Sequence, residues 1–138
     1  MNAISISFWF FVISTLILIS SFGGGEGRRF TVVILICVCG TFFANSTLDF
    51  FRAQPIVLLI DLLLLGYAIN LVRESCAYWP IWFAGFHFIG ASAGIGYRLF
   101  PTSIPELYID TSGIWAIPAL GAAAIGVFLD YRVVNRHQ

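Results

Sequence analysis

Residues 55–90 read PIVLLIDLLLLGYAINLVRESCAYWPIWFAGFHFIG. Two apolar runs flank the short polar turn Arg73, Glu74, Ser75, and each carries one ionisable residue, Asp61 in the first and His87 in the second. Each run is long enough to cross a bilayer as a helix, which takes roughly 17–25 residues. So short a turn predicts an antiparallel helical hairpin. Asp61 and His87 each stand about thirteen positions from its midpoint, or roughly 20 Å along the axis. The two arms therefore hold their ionisable residues at nearly matched depth, slightly past the bilayer centre.

The rest of the chain repeats this pattern. Of 138 residues, 59% are hydrophobic and 10% charged, against about a quarter charged in soluble domains. Seven acids and seven arginines cannot cover a soluble surface of this size. The apolar runs predict an all-α polytopic transmembrane helix bundle in a single domain, residues 1–138. Its five spans are 4–22, 30–48, 55–72, 76–97 and 114–129. A four-span arrangement, with the first or last segment partly in the interface, is the alternative. The segments GGGEGRR and DFFRAQP read as connections, because glycines and charges interrupt the apolar pattern there. Pro55 suits a first helical turn, and Pro118 marks either a kink or a later start of the last span. The longest connection, 98–113, reads as an ordered outer loop or a short interfacial helix. The first run lacks a basic leader and exceeds a signal-peptide core, so a retained first span is expected.

Arginines set the orientation. Arg28, Arg29, Arg73, Arg132 and Arg136 fall in the segments that are inner if the N-terminus is outside; Arg52 and Arg98 fall in the outer ones. The excess predicts an outside N-terminus and a cytoplasmic C-terminus. Trp115 and Tyr108 would then mark the outer interface, and Trp79 and Tyr131 the inner one. A net charge of zero offers no basic surface for nucleic acid.

Ionisable groups at membrane depth are costly and usually face protein or water. Asp61 and His87 can meet if their helices face each other, and Asn45 in the second span reaches a similar level. Three readings stand: interhelical glue worth about 1 kcal/mol, a proton or ligand site, or no contact at all. On the fourth span Phe83, Ala84, His87, Gly90, Ala91 and Gly94 share one side, and Gly90 and Gly94 form a GxxxG pair that permits close helix approach. The fifth span offers a similar small surface in Gly121, Ala122 and Gly126. Asn70 and Tyr67 lie away from Asp61, and Asn70 reads as a capping or interface residue. The aromatics of YWPIW read as an interfacial anchor rather than a cofactor box.

Catalytic, metal and cofactor motifs are absent from the sequence. Cys37, Cys39 and Cys76 have no metal spacing and are expected as free thiols. No catalytic residue, metal or cofactor is therefore predicted.

The motifs LLIDLLLLGYAINLVRES, YWPIWFAGFHFIG and IWAIPALGAAAIG resemble a group of short multi-spanning inner-membrane proteins of alphaproteobacteria, sphingomonads in particular. The resemblance covers residues 55–129. It implies a multi-pass protein of a bacterial inner membrane and carries over no catalytic residues. The expected function is that of a structural or accessory helix-packing component without catalytic activity. Its partners would be the lipid bilayer and either further copies of itself or a larger membrane complex. The alternative is a small transporter, channel or proton-conducting unit built on Asp61 and His87. A third reading is a binder of a lipid, quinone or pigment, with His87 as hydrogen-bond donor.

Overall fold

The computed structural model describes the backbone of residues 3–99 and 105–135, with the side chains of 7–49, 51–96 and 115–133. The side chains of Arg98, Glu106, Tyr108 and Asp110, and all of Arg136, lie outside the described residues, so the roles assigned to them are not addressed. Five helices follow one another: α1 (Ala3–Phe22), α2 (Gly24–Thr47), α3 (Phe50–Glu74), α4 (Trp79–Leu99) and α5 (Pro105–Asn135).

Each helix packs on its neighbours in sequence, and α1 closes on α5, so the five form a ring. Sequential neighbours run antiparallel. Trp9 meets Phe42 across α1 and α2, a methyl of Ile60 in α3 faces Gly40 in α2, and Trp115 of α5 faces Gly90 of α4. The α1 and α5 pair runs parallel, with Phe11 beside Gly121 and Phe22 beside Phe128 and Tyr131. An odd number of helices in a ring requires one such pair.

Among the described residues, three segments are long and apolar enough to cross a membrane: Gly24–Thr47, Phe51–Glu74 and Trp115–Val133. The part of α1 whose side chains are described, Ser7–Phe22, is apolar as well. The composition of α4 is diluted by Trp79, Pro80, Trp82, His87 and Ser92. Large apolar side chains cover the outside of the ring; Phe10, Ile36, Phe43, Leu63 and Ile125 are all more than half exposed.

The helices are longer than the apolar runs that predict them. GGGEGRR is not a connection: α2 begins at Gly24, and the turn contracts to Gly23. The backbones of α1 and α2 cross here at close range. A Cβ on Gly23 would lie 2.6 Å from the Ile19 carbonyl oxygen, and one on Gly27 would strike the same atom. Gly24 takes a φ of 59°, a left-handed conformation that glycine adopts without steric cost. DFFRAQP is likewise helical from Phe50. Leu48 and Asp49 form the whole turn, and the Asp49 carbonyl accepts the Arg52 and Ala53 N–H groups, both at 2.9 Å. Arg73 and Glu74 belong to α3 rather than to the hairpin, which runs from Ser75 to Tyr78. The last helix starts at Pro105, well before residue 114, and Pro118 lies in its interior. Hydropathy marks where polar side chains appear. Backbone hydrogen bonds continue past that point, because they do not depend on what the side chains carry.

The core is concentrated at the Gly23 end. Phe30 of α2 is fully buried at the ring centre, 4.7 Å from the Phe83 ring and 4.9 Å from the Trp79 ring, both edge-on. Tyr67 of α3 stacks on its other side at 6.5 Å. Trp79 is therefore a core residue, 2% exposed, and not an interfacial anchor. It lies over Gly126, where a Cβ would overlap its own. Tyr78 and Trp82 are the exposed aromatics of that motif. Polar bonds fasten the same end: Ser75 Oγ donates to Glu26 Oε2 at 2.6 Å, and the Tyr78 N–H donates to Asp130 Oδ2 at 3.3 Å.

Candidate functional site

Towards the opposite end the ring is hollow. A cavity of about 320 Å³ is lined by residues of all five helices. Phe8 and Trp9 come from α1, and Ala116, Ala119 and Leu120 from α5. The contribution of α2 is a stripe: Ile34, Cys37, Val38, Thr41, Phe42 and Asn45. This spacing of three and four keeps one helical face on the cavity. From α3 come Ile60, Asp61 and Leu64, and from α4 Phe83 and His87. Phe83 forms the floor, backed by the buried Phe30. Phe42 and Asn45 are the lining residues of α2 that are exposed.

Asp61, His87 and Asn45 thus line one cavity. The depth match across the hairpin brings His87 to Asp61, but the partner atom is not the carboxylate. His87 Nε2 lies 3.1 Å from the Asp61 backbone carbonyl oxygen. A carbonyl only accepts, so Nε2 carries the proton and donates. In the neutral ring, Nδ1 then holds a lone pair. The imidazole stacks on Phe83 with centroids 5.4 Å apart and planes 11° from parallel. The ring is therefore held by a hydrogen bond at one edge and an aromatic wall on one face.

The Asp61 carboxylate has no hydrogen-bond partner among the described residues. Its oxygens are not buried against protein, and neither is His87 Nδ1; the only buried side-chain oxygen or nitrogen found unpaired among the described residues is Gln54 Oε1. Both polar groups face a cavity whose described lining includes no Arg or Lys.

The small residues divide between two contacts. Gly90 lies under Trp115, where a Cβ would sit 3.3 Å from the Trp115 Cβ, and Gly126 lies under Trp79. Each helix of the α4–α5 pair thus rests a tryptophan on a glycine of the other. Gly94 is buried, Gly121 faces Phe11 of α1, and Ala122 is half-buried. The residues of that stretch that sit deepest are instead Ala119, Ala123 and Val127, spaced by four along one face.

Asn70 donates to Glu74 Oε1 at 2.9 Å, within its own helix. No group of three His, Cys, Asp or Glu side chains able to hold a metal occurs among the described residues. The cysteines are free: Cys37 lines the cavity, while Cys39 and Cys76 are exposed. Sequence reasoning put Phe83 on the side of His87 but missed the other aromatics of the site. Phe8, Trp9 and Phe42 look like any other aromatics in an apolar run. The polar stripe Cys37, Thr41, Asn45 on α2 was the signal available.

Comparison with protein-family models, with curated proteins and with solved structures finds no match for this chain.

Proposed function

We propose that this chain is an integral membrane protein whose role is to hold a small, largely apolar molecule in the cavity beside Asp61 and His87, without catalysis. Helices that are apolar all round belong in lipid, and α1 supports this: it buries Val12, Leu16 and Ile19 yet exposes Phe10, Ile13 and Ile17. We take the five helices as five spans, with the N-terminus outside and the Arg-rich Gly23 end at the cytoplasmic face of a bacterial inner membrane. The basic bias of that end, which carries Arg28, Arg29, Arg73 and Arg132, supports the orientation.

One observation carries the binding reading: toward the Gly23 end the cavity meets Phe83, beneath which Phe30, Trp79 and Tyr67 fill the ring. A conducting path would have to cross this aromatic plug. Its size lies at the lower end of small-molecule pockets, about 300–1,000 Å³, and its few polar groups in an apolar wall fit that use. The accessory reading drew on small residues offered to a partner. Gly90, Gly121 and Gly126 face other helices of the same chain, so a partner would need a different surface.

The test is an organic extract of protein purified from membranes in mild detergent, analysed by mass spectrometry. A compound should co-purify in near-stoichiometric amount and be lost from an Ala116→Trp variant, which fills the cavity. Identical extracts from the two proteins would remove the binding reading. Proton flux into liposomes that Asp61→Asn abolishes would put a conducting unit in its place.

A further inference from the structure

The cavity polar groups specify a charge. This inference rests on the binding reading above. His87 spends its only N–H on the Asp61 carbonyl, so towards the cavity the neutral ring is an acceptor. The Asp61 side chain, when ionised, is also an acceptor, and it has no hydrogen-bond donor among the described residues. The Asn45 amide offers both kinds of atom. Among the described residues no guanidinium or ammonium lines the cavity to balance the carboxylate. The remaining wall is rich in rings: Phe8, Trp9, Phe42 and Phe83. Aromatic faces attract a cation, more strongly where water is excluded. An unpaired carboxylate in an apolar setting is costly until a counter-charge joins it.

We infer that the occupant is a small lipophilic cation, an amine-bearing molecule whose ammonium sits between Asp61 and the aromatic wall. Its body must be compact. A cavity of about 150 Å³ accommodates benzene, so about 320 Å³ takes one substituted ring or its aliphatic equivalent. A longer tail would run along Trp9 and Phe42, whose rings meet edge-on at 6.5 Å in the cavity lining. The site then has a built-in competitor. A proton on Asp61 removes the charge that the ligand answers, so binding weakens as the pH falls. Among the described residues, the titratable groups that face Asp61 are His87 from α4 and Cys37 from α2; α1 and α5 present none there.

Cys37 reports occupancy. In a Cys39→Ser, Cys76→Ser background reconstituted in nanodiscs, its labelling by a small neutral maleimide is followed against two probes of equal shape. One is benzyltrimethylammonium; the other is neopentylbenzene, its uncharged counterpart. The cation should protect Cys37 at concentrations at least about tenfold lower than the hydrocarbon, the scale of one added charge interaction. Asp61→Asn should bring the two probes together. Lowering the pH should weaken the cation and leave the hydrocarbon unchanged. Equal protection by both probes in the wild-type protein would overturn the cation assignment and leave the binding reading intact. Protection by neither would overturn both.

Discussion

The two ends of this ring are built from the same apolar residues and do opposite things. At the Gly23 end, glycines let backbones touch. Gly23 and Gly27 admit the Ile19 carbonyl, Gly126 admits Trp79, and Phe30 fills what is left. At the Asn45 end no described side chain fills the centre. Ala116 and Ala119 present small side chains to it from α5, and the larger residues line the wall. Glycine at a helix contact thus closes space, because a backbone moves in. Alanine on a wall whose neighbours are already held apart leaves space open. What separates the two ends is which residue type faces the centre, since both are helical and apolar.

The sharpest way to break this contrast is Phe30→Ala. Removing the plug should cost about 3–5 kcal/mol, the range for a fully buried phenylalanine, and extend the cavity toward the Gly23 end. Thermal unfolding in detergent reads the stability loss. A variant as stable as wild type would mean that the closed end does not depend on its central ring. Gly126→Val comes next, at about 1–3 kcal/mol for overpacking against Trp79. Its control is Gly85→Val, at a position with no neighbour within 4 Å, which should leave the melting temperature close to wild type. Equal losses in the two variants would sink the assignment of Gly126 to a tight contact. The smallest effect belongs to the hollow end. His87→Phe removes one interhelical hydrogen bond, worth roughly 0.6–1 kcal/mol in membrane helices, and denaturant titration should find no more than that. A loss as large as that of Phe30→Ala would recast His87 as a structural fastener.

Much of this arrangement was legible before any coordinates. The hairpin predicted the pairing of α3 with α4 and the common level of Asp61 and His87. The reason is that a helix rises by a constant amount per residue, so equal distances from a turn become equal depths. Helix ends were less legible. Arg28, Arg29, Arg52 and Arg73 all lie inside helices that apolar patterning ends earlier. Trp79 illustrates the same limit for side chains. Its place near a helix start suggests an interface, yet the glycine that receives it is 47 positions away. Nothing local to Trp79 points to Gly126.

The sequence by itself determined that the chain is helical, apolar on its outside, and poor in ionisable groups at depth; run length and composition suffice for that. Only the tertiary structure decided that the five helices close into a ring, that Phe30 seals one half, and that the imidazole bonds the Asp61 carbonyl rather than its carboxylate. Those outcomes depend on which faces meet across the ring centre. A stretch of leucines and phenylalanines is nearly the same on every side, so packing shape chooses the faces where hydropathy cannot.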